Sequence, residues 1–374
     1  MKEIGYIIFA FFYKFFSILP MKRNHVFLIM THDESREGNV GRVGYYMKKY
    51  ESSKIYTLKR KDTSVKRMPY FFLVKSYELA RCEYVFLDNA FLPMAYFKVR
   101  KGTKVVQLWH GTGTIKKFGQ HVNKGTRLGE LENRSHRNIT KLVVNSEATK
   151  KLYSQCFGIP EFKVEVLGLP RTDYLFNKEY QNRQTHLFYG KYPRLQDKKL
   201  VLYAPTFRDD QVALPQIQLN IKKFIAETDD SVCLGLRLHP FVADKMTFSK
   251  EEYGDRVYDF SKYPHLNTLL FASDILMTDY SSIVFEYCAL KKPMIFFAYD
   301  LEKFSQNGRG FYEDYETYVP GSVAKTTQDV IDIINEKQFK FEKIEPFFHT
   351  AYKYEDGKST KRVVKMIKEV DAGL

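Results

Sequence analysis

The sequence predicts an α/β protein built from two doubly wound domains that face a cleft. Three observations carry that expectation. The chain has 374 residues, beyond the ~100–200 usual for one domain. Short apolar runs recur at spacings of roughly 20–35 residues, which fits repeated βα units. Most runs are near-continuous rather than alternating, as in parallel strands covered on both faces by helices.

The elements follow in order. Ile4 to Leu19 reads IGYIIFAFFYKFFSIL and is followed by Pro20, Lys22 and Arg23. A spanning helix needs ~20 apolar residues, so this run is short, and it contains Lys14. It has no basic n-region and no small-residue cleavage site, so a signal peptide fits poorly. On a helix, Glu3, Ala10, Lys14 and Ser17 share one side and aromatics cover the rest. The expectation is an interfacial, membrane-associating helix, against the plainer reading of a buried first helix.

Candidate strands of the first domain are His25–Met30, Lys54–Leu58, Tyr84–Leu87, Lys104–Trp109, Lys141–Asn145 and Val164–Leu167. Those of the second are Leu200–Ala204, Val232–Leu238, Arg256–Tyr258, Asp274–Thr278 and Met294–Phe297. The polar stretch Asn177–Lys199, with Gly190 and Pro193, is the best boundary. This gives an interfacial helix over 1–22 and domains over 23–180 and 195–345. A C-terminal helix over 346–374 is expected to pack back on the first domain.

Composition narrows the class. Apolar residues make up 44% and charged residues 28%, an ordinary globular balance. Lys and Arg total 59 against 44 acidic residues, a formal charge of +15. An anionic partner is implied: nucleic acid, phosphorylated substrate or acidic membrane. Lys48 to Arg67 holds eight basic residues against two acidic ones, and Lys98, Arg100, Lys101 and Lys104 follow. Such segments gain roughly 1 kcal/mol per charge at anionic lipid. Cys82, Cys156, Cys233 and Cys288 are far apart with no CxxC pair, so buried free thiols are expected. There is no Walker A loop, HExxH or Asp-x-Asp, so neither metal nor cofactor is expected. No helix-turn-helix, RRM or zinc-finger pattern supports nucleic-acid binding.

In doubly wound sheets, ligands bind beyond the carboxyl ends of the strands, so strand ends are the places to read. After Lys104–Trp109 comes His110-Gly111-Thr112-Gly113. A histidine there has the right intrinsic pKa for proton transfer, and the glycines admit a substrate to the backbone. Next, Ser146 either caps a helix starting near Ala148 or presents its start to a phosphate. Arg171 binds an anion or pairs with Asp173. After Leu200–Ala204, Thr206 and Arg208 suit a phosphate. Arg237 and His239 flank Leu238 and so project to one side, a cationic pair suited to a pyrophosphate. After Asp274–Thr278 come Asp279-Tyr280-Ser281-Ser282. The serines start a helix and suit a phosphate, and Glu286, one turn deeper, suits ribose hydroxyls.

Together these motifs resemble the CDP-glycerol glycerophosphotransferase family of teichoic acid primases and polymerases. The matching segments are WHGTGTIKKFG (Trp109–Gly119), the NSE…GLPRTD sequence, LYAPTFRD (Leu202–Asp209) and LRLHP (Leu236–Pro240). The longest is TDYSSIVFEYCALKKPMIFFAYDLEKF (Thr278–Phe304), continuing to RGFYEDYE (Arg309–Glu316) and Pro320-Gly321. Gly113 stands where many members have Pro, with little consequence expected. The resemblance implies a GT-B-like pair of Rossmann-type domains, the second holding CDP-glycerol. It implies transfer of glycerol phosphate to an undecaprenyl-pyrophosphate-linked disaccharide, releasing CMP, at the cytoplasmic face of the plasma membrane. His110 becomes the general base, and His239 with Arg237 stabilises the donor pyrophosphate. Ser281 and Ser282 hold phosphate and Glu286 binds ribose. Asp279 and Arg309 match the family without a distinct role. A short, primase-like form is favoured by length. CDP-ribitol, a nucleotide-sugar glycosyltransferase and a non-catalytic membrane scaffold are the competing expectations. Nothing in the sequence sets an oligomeric state.

Overall fold

Twelve strands in two six-stranded, all-parallel sheets organise the computed structural model, which describes residues 2–206, 208, 216–246, 248, 250–307 and 310–369. In the first sheet β1 is Lys22–Met30, β2 Lys54–Lys59, β3 Cys82–Leu87, β4 Lys104–Gln107, β5 Lys141–Val144 and β6 Val164–Val166. The order is β2-β1-β3-β4-β5-β6. In the second, β7 is Lys199–Tyr203, β8 Val232–Leu236, β9 Val257–Asp259, β10 Ile275–Thr278, β11 Met294–Phe297 and β12 Ser322–Ala324. The order is β12-β11-β10-β7-β8-β9.

Each order reverses direction once. In the first sheet the reversal lies between β1 and β3, as in flavodoxin-like sheets. In the second it lies between β7 and β10, as in dinucleotide-binding sheets. Crossovers at these two points leave the chain diverging above and below the sheet, which opens a crevice at the strand ends.

The chain divides into two units. One comprises Met1–Thr112, Phe118–Asp173 and Thr350–Leu374; the other comprises Gly113–Lys117 and Tyr174–His349. The Gly113–Lys117 segment pairs within the second unit, where Lys116 bridges Phe311.

In the first unit, consecutive strand residues feed opposite faces, which is why the strands read as unbroken apolar runs. Phe27, Ile29, Val85, Leu87 and Val105 pack with Phe9, Ala10 and Tyr13 of helix α1 (Lys2–Phe16). Val26, Leu28, Tyr84, Phe86 and Val106 pack on the other face. There they meet Val40, Val43 and Met47 of α2 (Asn39–Tyr50). Burying each such side chain contributes about 1.5–3 kcal/mol. Gly41 lets α2 begin against the preceding loop, since a Cβ there would lie 2.1 Å from the Ser35 carbonyl oxygen. Helices α3 (Arg127–His136) and α4 (Glu147–Phe157) follow β4 and β5. In the second unit, the helix α5 (Ile283–Cys288) is wholly buried. The last described helix, α6 (Ser359–Glu369), lies in the first unit. There the buried Asp173 carboxylate accepts the Ser359 and Thr360 amides at 2.7 and 3.1 Å.

Helix α1 divides its residues unlike a core helix. Phe9, Ala10 and Tyr13 are buried, and the part-exposed Glu3 pairs at the surface with Arg127 and accepts the Tyr96 hydroxyl. Ile4, Ile7, Ile8, Phe11 and Phe15 are exposed, and Ile18 and Leu19 beyond the helix are exposed too. These positions recur at three and four residues, so they form one stripe. Thus, on the side the sequence groups together, Ala10 is buried, Glu3 is paired at the surface and Lys14 is exposed, while the apolar stripe faces outward. Among the described residues no helix is long and apolar enough to cross a membrane.

Candidate active site

The first unit gathers its polar strand ends at the β1/β3 reversal. Asp88 follows β3 and is buried. Its carboxylate accepts the backbone amides of Thr31, His32 and Asp33, just after β1, at 3.0, 3.0 and 2.9 Å. Burial raises the Asp88 pKa, and these three bonds oppose the rise. The Asp88 carbonyl oxygen lies 2.9 Å from His110 Nδ1. A carbonyl only accepts, so Nδ1 carries the hydrogen and Nε2 keeps its lone pair. That is the tautomer a general base needs.

The His110 loop is held in an uncommon shape. β4 stops at Gln107, two residues short of the expected end, because Trp109 is left-handed at φ 55°. For a bulky side chain this conformation costs energy and persists only where surrounding bonds impose it. Here they do. The Trp109 amide donates to Gln107 Oε1 at 2.9 Å, and its carbonyl accepts Asn39 Nδ2 at 3.0 Å. Arg171 Nη1 donates to the His110 carbonyl at 2.6 Å, while its own amide donates to Asn39 Oδ1 at 3.0 Å. So Arg171 braces the loop, while Asp173 serves the start of α6. His32 stacks on His110 with ring centroids 3.6 Å apart and planes 15° apart. Ser146, two residues beyond β5, is the N-cap of α4 and is buried. Its hydroxyl makes no capping bond and lies 3.4 Å from Thr149 Oγ1.

The second unit gathers its own set at the β7/β10 reversal. Thr206 follows β7 and its amide donates to Asp279 Oδ1 at 2.8 Å. The Thr206 hydroxyl oxygen is buried with no hydrogen-bond partner among the described residues. Asp279 follows β10, then come Tyr280, Ser281 and Ser282. Ser281 Oγ accepts the Ile283 amide at 3.3 Å, and Ser282 is the N-cap of α5 with no side-chain capping bond. Glu286 lies buried in the first turn of α5.

Arg208 does not take the place expected for it. Its Nε and Nη2 donate to Asp300 at 2.8 and 3.0 Å, Nη2 donates to Asp279 at 2.9 Å, and Nη1 donates to the Thr206 carbonyl at 2.6 Å. Tyr280 donates its hydroxyl to Asp300 at 2.9 Å. Burial alone lowers the Arg208 pKa, but the bond to Asp300 and the Asp279 charge outweigh it and raise the net value. Arg208 and Asp279 therefore brace the loops that carry Thr206 and the serines, rather than facing a phosphate.

Arg237 is anchored through one end of its guanidinium. β8 ends at Leu236, and Arg237 Nη1 donates to the carbonyls of Phe260, Ser261 and Tyr263 at 2.7–2.8 Å. Its Nε and Nη2 make no hydrogen bond among the described residues. Burial lowers its pKa. His239 is exposed, and its carbonyl accepts the Val242 and Ala243 amides at the start of the Pro240–Ala243 turn. Arg309 lies outside the described residues. Among the described residues no group of three or more His, Cys, Asp or Glu could hold a metal ion.

Sequence reading missed His32, Asp88, Asn39 and Asp300. The strand-end rule applied to every strand points to His32 after β1 and Asp88 after β3. Asp300 lies three residues beyond β11. Gly113 also carries more than expected, since a Cβ there would lie 2.4 Å from the Phe285 ring. The absence of a side chain at 113 and the presence of Phe285 go together.

A family model described as CDP-Glycerol:Poly(glycerophosphate) glycerophosphotransferase matches residues 11–369. The chain is 35% identical over 376 residues to the teichoic acid poly(ribitol-phosphate) polymerase of Bacillus spizizenii, covering 98% of this chain and 60% of that protein. It is 34% identical over 375 residues to the teichoic acid ribitol-phosphate primase of the same organism, covering 96% and 95%. The chain spans only 52–60% of the length of three polymerases it matches. Among solved structures, the wall teichoic acid polymerase TagF aligns with a TM-score of 0.80 at 21% identity, over 96% of this chain and 93% of that one. That likeness is one of fold.

Proposed function

The chain belongs to the CDP-glycerol:poly(glycerophosphate) glycerophosphotransferase family, among teichoic acid primases and polymerases, and from that premise we propose that it transfers a polyol phosphate from a CDP-linked donor to an acceptor hydroxyl. The observation that carries this reading is the fixed tautomer of His110 at the β1/β3 reversal. His110 Nε2 takes the proton of the acceptor hydroxyl. The acceptor oxygen bonds to the donor phosphorus that bears the polyol. The P–O bond to the other phosphate breaks, and CMP leaves with that electron pair.

The charge that develops on the phosphates calls for preplaced donors, which usually supply much of the catalysis. The proposed set is the Thr206, Ser281 and Ser282 hydroxyls, the Nε and Nη2 of Arg237, and His239, with Arg309 completing it. Glu286 takes the ribose. Ser146, buried two residues beyond β5, belongs to the acceptor side. The family description favours glycerol as the polyol, and the names of the two relatives above favour ribitol. Both donors are therefore tested.

The proposed acceptor is an undecaprenyl-pyrophosphate-linked disaccharide or its first extension products. The exposed stripe of α1 supports a place on the membrane surface. Lys14, Lys22 and Arg23 are exposed beside it, so the surface would be anionic. The proposed location is the cytoplasmic face of the plasma membrane. Purified protein with CDP-glycerol or CDP-ribitol and a short-chain lipid-pyrophosphate disaccharide should release CMP with one of the two. Mass spectrometry of the product then counts units added. No CMP from either donor with folded protein would remove the proposal.

A further inference from the structure

The reading of His110 as base leaves one problem of geometry. The hydrogen bond at Nδ1 anchors one point of the ring, and the direction of Nε2 also depends on the plane in which the ring lies. A base misplaced by about 1 Å loses on the order of a hundredfold in rate. The structure holds a second restraint. The His32 ring lies 3.6 Å from the His110 ring, at 15°. One residue positions both: Asp88 holds the His32 backbone amide with its carboxylate and His110 Nδ1 with its carbonyl.

We propose that His32 is a positioning residue, whose flat ring sets the plane of His110 and so the direction of Nε2. The inference rests on the role of His110 proposed above.

The charges around the pair fit this use. Two imidazoles stacked so closely do not readily carry two protons. Burial lowers the His32 pKa below its ordinary value. Asp88 and Asp33 act to raise it, and Arg171 and Arg60 to lower it. The net effect is a lowered His32 pKa, which favours its neutral ring. Trp109 adds a second aromatic neighbour, 4.0 Å from the His110 centroid. A neutral π face beside His110 also accommodates the imidazolium formed when it takes the acceptor proton.

The test uses the full chain and whichever of CDP-glycerol or CDP-ribitol the wild type turns over. His32→Leu keeps apolar bulk but removes the flat ring. Its kcat should fall about ten- to a hundredfold, with donor KM within twofold and an unchanged melting temperature. His32→Phe should recover most of the kcat, because it restores the ring without the nitrogens. If His32→Leu fails to fold, His32→Asn serves in its place with the same expectation. Wild-type kcat in the ringless variant overturns the proposal. So does a His32→Phe variant as slow as His32→Leu, since the nitrogens would then be what matters. His110→Ala run alongside separates the two levels. Turnover retained there removes the base itself, whereas its loss together with a fully active His32→Leu removes only the positioning role.

Discussion

Arg208→Met decides whether that arginine is a structural brace or a phosphate ligand. The guanidinium is bonded to Asp279, which is 1% exposed, and to Asp300, whose side chain is 14% exposed. Removing it leaves two carboxylates that water barely reaches. Breaking a buried ion pair from one side costs about 3–5 kcal/mol. Asp279 also holds the Thr206 and Tyr280 amides, so both loops of the β7/β10 reversal should loosen. A unit of this size loses roughly 2–4 °C per kcal/mol, so melting should drop by about 6–20 °C. The assay is thermal unfolding by circular dichroism, with hydrogen exchange to show that the loss lies in the second unit. Adding Asp300→Asn should recover part of the loss, because one stranded charge disappears. Wild-type melting combined with a donor KM raised more than tenfold would refute the argument and return Arg208 to the substrate.

Further predictions concern pH and the membrane. His136 is 4% exposed, its Nδ1 donates to the Phe157 carbonyl at 2.9 Å, and burial lowers its pKa to about 4. Its contribution to stability is fully present above its ordinary value of about 6.5 and is lost as pH falls toward the folded value. Between pH 7.5 and 4.5 that amounts to roughly 2–3 kcal/mol. His136→Gln should lose this part of the pH dependence in urea titrations, and an unchanged slope would contradict it. On α1, Phe11 and Phe15 are 64% and 59% exposed. Burying the exposed part of each ring in a bilayer should contribute about 1–2 kcal/mol. Phe11→Ser with Phe15→Ser should weaken sedimentation with phosphatidylglycerol vesicles about a hundredfold without changing the melting temperature. Equal binding would remove the membrane role of that stripe.

Much of the fold was legible because parallel strands buried on both faces announce themselves as unbroken apolar runs. Eleven of the twelve strands stand where such runs stand. β12 escaped because Ser322–Ala324 is three residues long with a polar start. The end of β4 escaped because the apolar run continues through Trp109, while the backbone turns left-handed there. The strand-end rule put His110, Thr206 and the two serines just beyond strands, and that placement follows from topology alone. It could not show that Arg208 is neutralised by Asp300, 92 residues away, or that His32 meets His110 across two strands. Those partners are set by the packing of loops, which leave no periodicity in the sequence. Helix α1 shows the same limit: the ion pair of Glu3 with Arg127, 124 residues away, leaves no trace in the helix pattern.

The proposed polyol phosphate transfer rests on His110 acting as a base on the acceptor hydroxyl. The most direct measurement is steady-state CMP release by His110→Gln, with donor affinity measured separately by calorimetry. A positioned base contributes typically 10²–10⁴-fold. The expected result is a kcat loss in that range, with affinity for the CDP-polyol within a few-fold of wild type. CMP release by His110→Gln at the wild-type rate would contradict it.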